Sequence, residues 1–363
     1  MLEALIDRLG EPGTLAAGAL AIGVVFGFMA QRSRFCLRSA VIEFARGVHG
    51  GKLTVWLFAF AAAVGGTQAL ALAGAFDAAN ARQIASRGSL SGAAIGGALF
   101  GIGMILARGC SSRLLVLAAQ GNLRSLLSGL IFAVAAQASL TGALSPLRNA
   151  ISGWWTVDGG SARDLLARTG IGHGGALLFA LVWLAAAIVW ARRQRVPAWG
   201  WAGAIGVGLT VAGAWAFTYQ MSRLAFDPAP IQALSFTGPS AEVLNRLLFV
   251  SDRPLNFDLG LVPGVFIGSF LAAALFGELK LEGFAGGASM RRYIAGAMLM
   301  GFGGMTAGGC AVGAGLSGAA VFTITSWVSL CTMWAAAALT DRLVDGRPEA
   351  PLDQPVPVSR AFT

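Results

Sequence analysis

The sequence predicts an all-α membrane protein of about nine transmembrane helices, arranged as two inverted repeats with re-entrant Gly-Cys loops. Three observations predict it. Charged residues are only 12% of the 363 residues, against about 25% in soluble globular chains. Apolar runs long enough to cross about 30 Å of hydrocarbon recur along the whole chain. A Gly-rich segment ending in cysteine occurs twice, 200 residues apart.

The composition also excludes several classes. With 56% hydrophobic residues and a mean hydropathy of +0.70, the surface needs a bilayer to cover it. The 51 glycines suit membrane helices, whose close approach depends on small residues. A net charge of +9 could indicate nucleic acid, but the arginines are scattered between apolar runs rather than gathered on one wet face. Met1–Gly10 carries Glu3 and Asp7 where a signal peptide would be basic. The four cysteines show no CxxC spacing and have only His49 and His173 as company, so no metal site, cofactor or disulfide framework is expected.

Taken in order, the spans fall near 14–30, 53–76, 91–107, 123–144, 173–191, 199–219, 259–278, 291–307 and 321–341. They divide the chain into a first half (1–172), a linking span (173–198), a second half (199–342) and a Pro-containing cytoplasmic tail (343–363). The third and eighth spans are short and run into the Gly-Cys segments, the pattern that marks a transporter binding site. Arg32, Arg34, Arg38, Arg46, Lys52, Arg108, Arg113, Arg192, Arg193, Arg195, Lys280, Arg291 and Arg292 gather on one side. The positive-inside rule makes that side the cytoplasm and puts the N terminus in the periplasm.

The repeat is carried by particular residues. Gly96, Leu99, Gly101, Gly103, Ala107, Gly109 and Cys110 recur as Gly296, Leu299, Gly301, Gly303, Ala307, Gly309 and Cys310. A second echo sets Gln31-Arg32-Ser33-Arg34 beside Gln220-Met221-Ser222-Arg223, at offset 189. Because the linking span lies between the halves, the second half starts from the opposite face and the topology is inverted.

The chemistry expected follows from these loops. Arg108-Gly109-Cys110-Ser111 and Gly308-Gly309-Cys310-Ala311 each end a broken span and are expected to open short helices over 111–120 and 311–319. Gly109 and Gly309 let backbone approach a ligand. The new helix starts, at Ser111 and Ala311, offer unpaired N–H groups to an anion. Neutral donors suit an ion in transit, since a full charge at mid-membrane is costly and holds an ion tightly. The bland alternative is helix packing by small residues and buried cysteine; two copies at two breaks favour a site. Cys36 follows span one in a basic cluster, with Arg34 placed to attract an anion, whereas Arg32 and Arg38 read as anchors. Cys331 sits mid-span and reads as packing or lipid-facing.

Gln31-Arg32-Ser33-Arg34-Phe35-Cys36, the Gly-rich segment ending at Cys110, and Ala307-Gly308-Gly309-Cys310 followed by Gly315-Leu316-Ser317-Gly318 resemble the YeeE/YedE family of bacterial sulfur transporters along essentially the whole chain. The resemblance implies an inner-membrane thiosulfate permease with an hourglass-shaped bundle, in which Cys36, Cys110 and Cys310 relay the ion. A neutral thiol is a weak donor, so successive S–H···S contacts could pass the soft terminal sulfur without trapping it. The resemblance also implies a separate cytoplasmic sulfur-carrier protein of the TusA type as a partner, besides membrane lipids. Sulfite, a selenium oxyanion, or a thiol enzyme relaying sulfane sulfur remain open as alternatives.

Overall fold

The computed structural model describes residues 2–48, 50–226, 229–248, 254–283 and 287–346. His49 and residues 347–363 of the expected tail lie outside it. The long helices are α1 (Leu2–Ser33), α3 (Gly51–Leu72), α4 (Leu90–Leu106), α6 (Leu123–Leu140), α7 (Gly172–Arg193), α8 (Ala198–Leu224), α10 (Phe257–Leu275), α11 (Gly287–Ala307) and α12 (Ile324–Val344). Among the shorter ones between them are α2 (Leu37–Ala45), α5 (Ser111–Ala119) and α9 (Thr237–Leu248). The only sheet among the described residues is a pair of two-residue strands, Gly88–Ser89 and Thr156–Val157.

Seven segments are long and apolar enough to cross a membrane: Leu2–Ala45, Gly51–Leu72, Leu90–Ala119, Leu123–Leu140, Gly172–Arg193, Ala198–Leu224 and Phe257–Leu275. The chain is an all-α, multi-pass membrane protein. The eighth and ninth expected spans coincide with α11 and α12, which are helical but are not among those seven. The first helix begins earlier than its apolar run, at Leu2, and is interrupted at Gly10, whose φ of 70° is left-handed. Leu2 and Ile6 pack on the core, which draws this charged first stretch into the helix.

The bundle is assembled from helix pairs that approach through glycine. α1 lies along α10, and α3 along α8; α4 is flanked by α11 and α12, and α6 packs on α11. At the α4–α11 crossing the helices run antiparallel. A methyl group on Gly96 would stand 2.6 Å from the Gly303 carbonyl, and one on Gly103 would stand 2.6 Å from the Gly296 carbonyl. Only glycine permits backbones this close. α7 packs on α3 and otherwise turns Leu178, Leu181, Val182 and Val189 outward, the lipid-facing surface expected of a spanning helix.

At one end of the bundle ion pairs tie α2 to the end of α12. Arg46 grips Asp341 through Nε at 2.9 Å and Nη2 at 3.0 Å, and Asp341 is almost fully buried. Arg292 of α11 binds both oxygens of Asp345 at 2.9 Å, and Arg38 stands 3.8 Å from the same group. The Arg292 guanidinium beside Asp345 holds its carboxyl below the usual carboxylate range. At the other end Arg163 spans two loops, donating to the Ser86 carbonyl at 2.6 Å and to Thr325 Oγ1 at 2.7 Å; burial pulls it down to about 10.

Two outcomes test this packing. Gly96→Ala should lower stability by about 1–3 kcal/mol through overpacking. Gly129→Ala, with nothing within 4 Å of the added methyl, should be neutral or gain up to about 1 kcal/mol; melting curves in detergent distinguish them. Arg46→Ala should cost about 2–4 kcal/mol by stranding the Asp341 carboxylate, and adding Asp341→Leu should restore most of the loss.

Candidate functional site: three thiols at helix breaks

One local turn recurs before Cys36, Cys110 and Cys310. At the end of α4, Arg108 N–H donates to the Ile105 carbonyl at 3.2 Å and Gly109 N–H to Met104 at 3.1 Å. At the end of α11, Gly308 N–H donates to Met305 at 3.3 Å and Gly309 N–H to Gly304 at 2.9 Å. At the end of α1, Arg34 N–H donates to Gln31 at 3.2 Å and Phe35 N–H to Ala30 at 3.1 Å. Each is a Schellman closure, which satisfies the last carbonyls of a helix and needs one left-handed residue. That residue is Arg34 (φ 54°), Arg108 (φ 55°) or Gly308 (φ 77°), and in every case the cysteine follows two positions later.

The cysteine then opens the next helical segment. The Cys36, Cys110 and Cys310 carbonyls accept from Ala40 at 3.3 Å, Leu114 at 2.9 Å and Ala314 at 2.8 Å. Cys36 and Cys110 are thus N-caps and Cys310 opens the turn that leads into the π-helical segment, places where helix N–H groups lack partners. Cys310 Sγ accepts from Gly313 N–H at 3.4 Å and from Phe236 N–H at 3.3 Å. The equivalent amides of Ser39 and Arg113 lie beside Cys36 and Cys110. The expected helix at 111–120 is found as α5. The one expected at 311–319 is instead a π-helical turn, Gly313–Gly318, with Ser317 N–H reaching the Val312 carbonyl at 2.9 Å; three glycines in six residues weaken regular α-helix there.

All three thiols are buried. Cys36 and Cys110 are brought near enough to interact, and Ser112 Oγ stands 3.4 Å from Cys110 Sγ. Cys310 is not with them. It follows α11, which runs antiparallel to α4, and the ends of the two helices, Ala107 and Ala307, lie roughly 16 Å apart along the shared axis at 1.5 Å per residue. Gly109 and Gly309 close the turns as described, and Ala311 is buried. Ser111 is buried with its Oγ unpartnered. Arg34 extends outward, 3.9 Å from Glu278. Cys331 is exposed on α12.

Two cavities open in the described residues, and neither is lined by a cysteine. One, of about 240 Å³, is bounded by Gln31, Arg34, Arg113, Gln120, Glu278 and Lys280, among others. The other, of about 450 Å³, is bounded by Arg82, Tyr219, Ser222, Arg223 and Ile231, among others. From Ile231 the chain runs extended toward Cys310, its backbone satisfied by other loops: Arg82 N–H donates to the Ile231 carbonyl at 2.9 Å and Ser317 Oγ to Leu234 at 2.6 Å. The two Gln/Ser/Arg echoes of the sequence thus end on different cavities.

Sequence reasoning missed Arg113, Ser112 and Phe236. Arg113 was counted only as a loop charge, although it lies three residues past Cys110. Phe236 carries a signal that was present, since Cys36 falls on it at the same offset of 200 that relates Cys110 to Cys310.

The left-handed residue can be tested directly. Arg108→Gly should raise stability by about 0.5–1 kcal/mol, because a side chain is strained at that φ. Gly308→Val should lower it by about 1–2 kcal/mol, read from the same melts.

A family model described as sulphur transport matches residues 32–339. The chain is 26% identical to the thiosulfate transporter TsuA of Escherichia coli (strain K12) over 353 residues, covering 93% of this chain and 96% of that one. It is 28% identical to the thiosulfate transporter TsuA of Spirochaeta thermophila over 337 residues, covering 85% and 93%.

Proposed function

The chain belongs to the sulphur-transport family, and from that premise we propose that it imports thiosulfate across the bacterial inner membrane by way of Cys310, Cys110 and Cys36. The proposal extends to this chain what the names of its two relatives say of them. The observation that carries it is the common turn: three buried thiols, each set by a Schellman closure at the open start of a helical segment. Such a position offers an anion neutral N–H donors and a weak S–H donor. The ion is passed by successive S–H···S contacts, and the nearness of Cys36 to Cys110 supports the last handover.

The architecture is read as two inverted halves related by a two-fold axis through the α4–α11 crossing. Paired contacts support this. Gly96 meets Gly303 while Gly103 meets Gly296; α1 lies on α10 while α8 lies on α3; α4 lies on α12 while α11 lies on α6. The halves would open to opposite sides, the larger cavity to the periplasm and the smaller to the cytoplasm, where the basic residues of the positive-inside rule gather. A separate sulfur-carrier protein of the TusA type would receive the ion at the smaller cavity.

In cells or proteoliposomes fed labelled thiosulfate, Cys110→Ala and Cys310→Ala should each abolish uptake while the chain remains inserted. Cys331→Ala should transport normally. Full uptake by both of the first two would remove the thiol route. Excess sulfite or selenite should compete poorly; strong competition would move the reading to another anion.

A further inference from the structure

The smaller cavity holds a charge arrangement that the thiol route does not use. Three cations line it, Arg34, Arg113 and Lys280, with two carboxylates, Glu278 and Glu282. Glu278 is held by Arg32 at 3.2 Å and by Gln31 Nε2 at 2.6 Å. Glu282 accepts from Asn122 Nδ2 at 2.6 Å and lies 3.7 Å from Lys280. Once these pairs are made, Arg34 and Arg113 have no carboxylate of their own. Arg34 reaches Glu278 only at 3.9 Å, behind Arg32.

Arg113 is the more informative of the two. Its Nη1 is buried and has no hydrogen-bond partner, an arrangement that is costly unless a ligand completes it. It borders the cavity on one side and lies within electrostatic reach of both Cys36 and Cys110 on the other. A guanidinium offers a planar fork of donors that matches the oxygens of a sulfonate or phosphate group. Two unmatched positive charges at the cavity, one of them between it and two thiols, complement an ion with a doubly charged, oxygen-rich head and a soft sulfur tail.

We propose that this cavity is an oxyanion subsite, in which Arg113 and Arg34 grip the sulfonate oxygens of the substrate while its terminal sulfur faces Cys36 and Cys110, and that Glu278 is a tethered carboxylate competing with the substrate for Arg34. The subsite rests on the thiosulfate reading above and adds the group that recognises the oxygen end. Glu278 sits on the chain between α10 and α11, and Gln31 links it to Gln120, just past the end of α5. The carboxylate, the end of α1 and the far end of α5 are therefore joined in one hydrogen-bonded chain across the cavity.

The test is the concentration dependence of labelled thiosulfate uptake by the full chain in proteoliposomes. Arg113→Gln should raise the half-saturating concentration at least tenfold, and Arg113→Lys should fall between it and the unmodified chain. Glu278→Gln should lower that concentration about threefold, because the competing charge is gone. Opposite shifts support the subsite, since damage to the fold would weaken both variants alike. Should Arg113→Gln and Arg113→Lys both stay within twofold of the unmodified chain, or Glu278→Gln weaken uptake as Arg113→Gln does, the subsite is overturned. Where Arg113→Gln does not insert, the Arg113→Lys and Glu278→Gln pair decides by the same criteria. Cys110→Ala measured alongside separates the two claims: its full activity defeats the thiol route, whereas its loss with unshifted Arg113 variants defeats the subsite alone.

Discussion

A helix that stops inside a bilayer frees carbonyls at one end and N–H groups at the next start, and lipid can satisfy neither. The whole arrangement depends on how this chain meets that demand. At the ends of α1, α4 and α11 a Schellman closure returns the last N–H groups to the helix just finished, so the loop that follows can be only two residues long. A cysteine then stands at the next start. The thiol position is thus a by-product of backbone accounting, which is why three cysteines in different parts of the chain share one local geometry.

Much of this was legible in advance, for reasons that can be named. Glycine and cysteine at offset 200 betrayed the breaks after α4 and α11, although glycine fills the left-handed position only after α11, as Gly308. The break after α1 was harder to read, since Arg34 occupies the left-handed position, as Arg108 does after α4, and no glycine stands beside Cys36. The apolar runs located the long helices but not their ends. Leu2–Gly10 is helical because Leu2 and Ile6 find the core, a tertiary effect that hydropathy does not contain. The π-helical turn at Gly313–Gly318 was likewise invisible, as its register depends on what Cys310 and Val312 bind.

Side-chain partnerships were the least legible part. Nothing in the sequence joins Arg46 to Asp341, nearly three hundred residues apart, or sets Cys36 against Cys110. Arg113 shows the limit most clearly: it reads as one more basic residue under the positive-inside rule, yet it borders a cavity and two thiols at once. Charge counting locates a side of the membrane. It does not say which charges are already matched.

The crossing of α4 and α11 has a geometric corollary. Where peptide backbone touches peptide backbone through glycine, no lumen can open between the two rods, however the flanking segments rearrange. The α4–α11 seam is therefore closed by backbone itself, and the neighbourhoods of Phe236 and Ser39, at its opposite ends, are not joined between these two helices.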